Sequence, residues 1–175
     1  PQETVKQLSQ DAAKARTEGA AFVVLTGGEP LHHNLNPLCD AIRETTAFKM
    51  KKPMPIHLET SGVDQISGSP NWITLSPKRH APPRRELLAR CQELKVIINE
   101  QEDLIFAEDM AKQAITTKKN WSQPIAHKYS PSSETLLFLQ PGWNNSKGQY
   151  LAIKHVRSNP QWRLSIQIHK WLGVL

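Results

Sequence analysis

The stretch AFVVLTGGEP, residues 21–30, decides the fold. Ala21 to Leu25 is an unbroken apolar run of β-branched and aromatic types, the pattern of a short buried strand in a parallel sheet. Thr26-Gly27-Gly28-Glu29-Pro30 then breaks it. Upstream, residues 3–18 put Val5, Leu8, Ala12 and Ala15 on one helical face and stop before Gly19. Downstream, Asn34 can cap a second helix with Leu35, Leu38, Ile42 and Thr45 inward. The alternation continues to the end of the chain. PIHLE (55–59), WITL (72–75), LKVII (94–98), TLLFL (135–139) and WRLSIQIHKW (162–171) read as strands. Residues 81–92 read as two prolines and then a short helix, and residues 102–115 and 148–158 as further helices. The polar stretch holding Lys118, Lys119, Ser130 and Pro131 reads as a loop. Six strands alternating with helices predict an α/β fold, one domain over residues 1–175, with a mostly parallel sheet and helices outside it.

Composition narrows the function classes. The 175 residues carry 22 Lys and Arg against 16 Asp and Glu, a net charge of +6 that suits anionic partners. An RNA-binding module without catalysis is therefore one alternative. The basic residues are scattered, however, and aromatics are only 6%, thin for stacking platforms. No apolar run reaches the ~20 residues of a membrane span. The N-terminal PQETVKQLSQ lacks the apolar core of a signal peptide. A cytoplasmic protein is the expectation. Cys39 and Cys91 are too far apart for a local metal knuckle and too few for a disulfide scaffold; both read as small buried hydrophobes. His32-His33, Arg84-Arg85 and Lys118-Lys119 read as solvated, while Lys49, Lys51 and Lys52 could form a phosphate-contact patch.

The unusual residues collect where strands end. TGGEP, ETSG, SPK, QPGW and HKWLG each follow a strand, and parallel α/β folds bind ligands at the carboxyl ends of their strands. The plainer alternative is that these are ordinary turns, which also favour Gly and Pro. Gly27-Gly28 would let backbone approach a ligand, and Glu29 could meet an ammonium group. Glu59 could accept two hydrogen bonds from the NH–NH₂ edge of a heterocycle, or simply pair with a neighbouring Lys or Arg. Ser76 and Lys78 could meet sugar hydroxyls or a carboxylate. Gln140 could read an adenine edge, Trp143 could cover a ring face, and His169 could give or take a proton.

Together TGGEP, ETSG, LSPK, LKVII, LQPGW and RLSIQIHKWLGVL, in this order through nearly the whole chain, resemble the 7-carboxy-7-deazaguanine synthase family, radical S-adenosylmethionine enzymes of queuosine biosynthesis. The resemblance implies a partial or distorted TIM-type (β/α) barrel. It also implies a lyase that converts 6-carboxy-5,6,7,8-tetrahydropterin to 7-carboxy-7-deazaguanine with release of ammonia. Carried over residue by residue, it makes Thr26, Glu59, His169 and the terminal Leu175 substrate contacts. It makes Gly28, Glu29, Ser76, Pro77, Lys78, Gln140, Pro141, Gly142 and Trp143 contacts of S-adenosylmethionine. The family's ETNG is ETSG here, so Ser61 stands in the place of its Asn. The family also implies a [4Fe–4S] cluster, a Mg²⁺ ion, a homodimer and an external electron donor such as flavodoxin, with no nucleic acid or membrane partner. The three cluster cysteines, the magnesium ligand and the first strand have no counterpart in these residues, so the chain as written is expected to be inactive alone. Another radical enzyme that shares GGEP, such as an activating enzyme, is the second alternative.

Overall fold

The computed structural model describes residues 2–50, 52–121 and 134–173. Six strands, β1 (Val23–Leu25), β2 (Ile56–Thr60), β3 (Trp72–Leu75), β4 (Glu93–Ile98), β5 (Leu136–Pro141) and β6 (Trp162–Leu164), form one sheet in sequence order. Every pairing is parallel. Between the strands run α1 (Gln2–Thr17, before β1), α2 (Asn36–Met50), α3 (Arg85–Arg90), α4 (Gln101–Lys119) and α5 (Ser146–Ser158), and α6 (Ile168–Leu172) follows β6.

Parallel neighbours joined in sequence order by right-handed crossovers must place their helices on one face. The core shows this. Ile56 and Leu58 of β2, Ile73 and Leu75 of β3, Leu94, Val96 and Ile98 of β4, and Leu137 and Leu139 of β5 are buried against Ile42, Leu87, Leu104, Met110 and Ala152 of the helices. The sheet is open at both edges, a partial (β/α) barrel. Its inner face carries the alternate residues. Register places His57 beside Trp72, Glu59 beside Thr74, Thr74 beside Glu93, Lys95 beside Phe138 and Phe138 beside Arg163. The lower part of this face, near the strand starts, is aromatic. Phe22 stacks on His57 at 4.2 Å between ring centroids, and Trp72 lies 6.0 Å beyond.

Several sequence expectations are corrected. The run 21–25 is not fully buried: Val24 and Phe22 are exposed, because the inner face of β1 is open. The expected strand over 162–171 pairs only to Leu164, and residues 168–172 are the helix α6. Its Leu164, Ile166 and Ile168 are all exposed, so their alternation follows no covered face. Leu8 of α1 is exposed, and Ser9 and Ala12 are buried. In α2, Thr46 rather than Thr45 is buried, its hydroxyl accepting the Met54 N–H at 2.9 Å. The short helix expected after the two prolines within 81–92 is found at Arg85–Arg90, preceded by extended backbone at Arg84. Lys118 and Lys119 belong to the last turn of α4, where the Lys118 ammonium donates to the Cys91 carbonyl at 3.0 Å and to Thr135 Oγ1 at 2.9 Å. Ser130, Pro131 and Lys51 lie outside the described residues.

Candidate active site

Because all six strands run the same way, the segments after them share one rim of the sheet. Behind β1 the chain must turn at once, and Gly27 and Gly28 do so with φ of +90° and +53°, a left-handed pair that side chains disfavour. An added Cβ on either would meet nothing within 4 Å, so the two residues border open space. Glu29 then starts a 3₁₀ turn, Pro30–His32, as its cap.

The Glu29 carboxylate ties this loop to the end of β2. Oε2 accepts the Ser61 N–H at 2.8 Å and the Ser61 hydroxyl. Oε1 accepts the Leu31 N–H at 3.2 Å and the Thr60 hydroxyl. Burial alone would raise its pKa, but the bonds from Ser61, Thr60 and Leu31 prevail and hold it below the ordinary carboxylate value. The Thr60 hydroxyl also accepts the Gly62 N–H at 3.0 Å. Gly62 itself has φ +83° and sits under Leu75 and Pro83, so ETSG is a built turn.

Glu59 is placed differently. Lying between Leu58 and Thr60, which face the helices, it points to the inner face. Oε1 accepts Lys95 Nζ at 3.0 Å and Oε2 accepts the Thr26 hydroxyl at 3.2 Å. Its side chain stays 40% exposed, against 17% for Lys95. An ionised carboxylate has about four acceptor positions, so among the described residues Glu59 keeps one on each oxygen beside its Lys and Thr partners. Glu29 has all four filled from within the chain.

The SPK segment follows β3 on the same rim. The Ser76 N–H donates to the Thr60 carbonyl at 2.8 Å, and Lys78 Nζ lies 3.4 Å from the Ser76 hydroxyl. Burial lowers the pKa of Lys78; the Glu29 carboxylate opposes that shift and Lys95 adds to it. A cavity of about 320 Å³ opens here, lined by Pro77, Lys78, Arg79, Ile97, Asn99 and Phe106 among others. At the end of β5, Gln140 is buried, and its register partner Ile97 puts it on the inner face. Gly142 donates its N–H to the Ile98 carbonyl at 2.9 Å, and a Cβ there would strike the Asn99 side chain. Trp143 is half-exposed beside a second cavity of about 310 Å³, and Lys170 of α6 lies 5.2 Å from its ring centre.

The structure thus brings Thr26, Gly28, Glu29, Glu59, Ser76, Pro77, Lys78, Gln140, Pro141, Gly142 and Trp143 to one rim. His169 falls in α6 rather than at a strand end; its side chain and Leu175 lie outside what is described. His32 and His33 are exposed, His32 with Asp64 at 3.1 Å. Cys39 and Cys91 are fully buried and free. Sequence reasoning missed Lys95 and Thr60. A lone lysine inside the apolar run LKVII was the signal for the first.

The sequence resemblance implies metal groups, so the fit of these residues matters. Burial pushes the Cys91 thiol up to about 11 and raises that of Cys39 as well, whereas cluster ligation needs three accessible thiolates. Among the described residues no group of three or more His, Cys, Asp or Glu could hold a metal ion. These residues do not fit a [4Fe–4S] cluster or a Mg²⁺ site. Nor, among them, is any helix long and apolar enough to cross a membrane.

Comparison with known proteins adds independent findings. No family model matches the chain. Over 172 residues it is 56% identical to the 7-carboxy-7-deazaguanine synthase of Prochlorococcus marinus, covering 98% of this chain and 76% of that protein. It is 37% identical over 174 residues to the enzyme of that name from a Synechocystis species, covering 99% and 71%. Among solved structures it is similar to the crystal structure of QueE from Escherichia coli, with a TM-score of 0.63 and 26% identity over 91% of this chain and 63% of the other.

Proposed function

Since the chain belongs to the 7-carboxy-7-deazaguanine synthase family, we propose that its inner face and rim bind 6-carboxy-5,6,7,8-tetrahydropterin and S-adenosylmethionine. The reaction is the lyase step that forms 7-carboxy-7-deazaguanine and releases ammonia. The observation that carries this reading is Glu59, a paired carboxylate that still has one free acceptor position on each oxygen and faces the open inner surface. A pterin presents adjacent N–H and NH₂ donors on one edge, and such a pair suits a carboxylate that can accept twice. Thr26 and Lys95 hold that carboxylate in place.

S-adenosylmethionine, when bound and given one electron by an external reductant, would supply the radical that takes a hydrogen atom from the substrate. The residues that would hold it lie along the rest of the rim. Gly28 offers backbone without a side chain in the way. Lys78 is a half-buried cation suited to the carboxylate of an amino acid, and Ser76 offers a hydroxyl beside it. Gln140 and the Gly142 backbone flank the rim at β5. Glu29 acts here by holding the Gly27-Gly28 turn against β2; direct contact with an ammonium group would require it to give up one of four internal hydrogen bonds.

Isothermal titration of the protein with the tetrahydropterin under anaerobic conditions tests the reading. Glu59→Gln turns one acceptor oxygen into a donor and should weaken binding by ~10-fold or more, the scale of a lost charged hydrogen bond. Unchanged affinity would remove Glu59 from the site.

A further inference from the structure

Lys95 is a cation of the inner face that none of the strand-end clusters includes. It is the third residue of β4, between Leu94 and Val96, which are buried against the helices. Its Nζ reaches Glu59 Oε1 at 3.0 Å, although β3 runs between their strands. Two strand spacings are about 9–10 Å, so the two side chains can meet only by lying across the sheet toward each other. Thr74, the inner-face residue of β3 in register with Glu59, is buried between them. The other charged groups facing Lys95 are Glu93, two residues back on β4, whose pKa burial raises and Lys95 opposes, and Lys78, whose ammonium it disfavours. Phe138 and then Arg163 stand beside it in register.

We propose that Lys95 is a positioning residue for the pterin: it locks the Glu59 carboxylate so that both free acceptor positions face the ligand edge together. This rests on the reading of Glu59 given above. A Glu at a strand end, half-exposed and held by Thr26 alone, could rotate and present one oxygen. With Lys95 on the opposite oxygen, the carboxylate is held from both sides. The Lys side chain supplies no contact to the ligand itself.

The test is a cycle in the protein with Lys95→Met, Lys95→Arg, Glu59→Gln and the Met–Gln double variant. Titration uses two ligands, the tetrahydropterin and an analogue without the 2-amino group, with S-adenosylmethionine affinity as a control. Lys95→Met should weaken the pterin by ~10-fold, the scale of one charge-assisted hydrogen bond, and leave S-adenosylmethionine unchanged. Lys95→Arg should recover most of that loss. In the Glu59→Gln background Lys95→Met should cost nothing more, and for the 2-desamino analogue its effect should vanish. If Lys95→Met does not fold, Lys95→Gln is read in the same way. Losses that add in the double variant, or a Lys95→Met enzyme that binds normally while Glu59→Gln does not, overturn the proposal and leave Glu59 standing. Normal binding by Glu59→Gln overturns both.

Discussion

Replacing Glu29 by Gln asks whether the GGEP loop is held by its own carboxylate. The native side chain accepts four hydrogen bonds, two on each oxygen, and two of the donors are backbone N–H groups, Leu31 on Oε1 and Ser61 on Oε2. A glutamine keeps one oxygen. Whichever way its amide turns, an NH₂ group faces one of those two backbone donors, and that N–H loses its partner. The hydroxyl of Ser61 can rotate to accept instead, whereas that of Thr60 already accepts from Gly62. One orphaned N–H costs ~1–3 kcal/mol, and exchanging charged for neutral bonds at the remaining donors adds to it, so the loss should be about 3 kcal/mol. For a chain of this size that lowers Tm by roughly 6–12 °C. The pH dependence gives a second arm. The folded pKa of Glu29 lies below its ordinary 4.5, so its contribution is fully present above that value and disappears as pH falls through the depressed one. Urea unfolding should show the gap between wild type and Glu29→Gln at neutral pH and a smaller gap below about pH 4, with equal slopes. A variant within about 0.5 kcal/mol of wild type, or a gap that ignores pH, refutes the reasoning.

The glycines of the rim should separate into two kinds. Gly62→Ala meets Leu75 at 2.6 Å and Pro83 at 2.9 Å from a left-handed backbone, and should lose about 3 kcal/mol in chemical denaturation. Gly28→Ala carries the backbone penalty alone, ~1 kcal/mol, yet should bind S-adenosylmethionine at least ~10-fold more weakly by equilibrium dialysis, since its methyl points into the open rim. Lys78→Met should bind S-adenosylmethionine more weakly by the same assay while not destabilising the ligand-free fold. Its folded pKa is depressed, so the charged form is disfavoured in the native state at every pH below that value. Trp162→Phe deletes the indole bond to Glu108 Oε1 at 2.8 Å from a fully buried site and should lower the urea midpoint by ~1–3 kcal/mol of stability, without altering ligand affinity.

What the sequence made legible follows from which face of each strand meets the helices. β2 to β5 were readable because Ile56, Leu58, Ile73, Leu75, Leu94, Val96, Leu137 and Leu139 are buried on that face whatever the other face does. β6 was overextended because Ile166 and Ile168 have the spacing of a strand and no layer above them; pairing stops when Ser165 donates its N–H to the Leu139 carbonyl at 2.9 Å. α1 was assigned the wrong inward residue for a similar reason. Its buried side packs on α2, where the small Ser9 and Ala12 fit and Leu8 does not point. The family signature assigns Glu29 to S-adenosylmethionine and Glu59 to the pterin, and the three-dimensional partners add that the first is saturated within the chain and the second is not.

That difference has a general cause. A parallel sheet usually buries both faces, so a polar residue inside one of its strands must be matched on the spot. Here the strands carry His57 and Glu59, Thr74, Glu93 and Lys95, and Arg163 on one face, while Ile56, Leu58, Ile73, Leu75, Leu94, Val96, Leu137 and Leu139 on the other are apolar and covered. Polar groups in register across neighbouring strands, left without a helical cover, are what a ligand cavity needs and a structural core does not. Glu29, in a loop, spends all its acceptor positions on backbone and hydroxyl groups within three residues of itself or at the end of β2. Glu59, in a strand, can reach partners only across the sheet, at Thr26 and Lys95, and both leave its outward side open. Among the described residues the carboxylate within the strand therefore keeps acceptor positions on its open side, while the carboxylate of the glycine motif has its acceptor positions filled by the rim that it holds together.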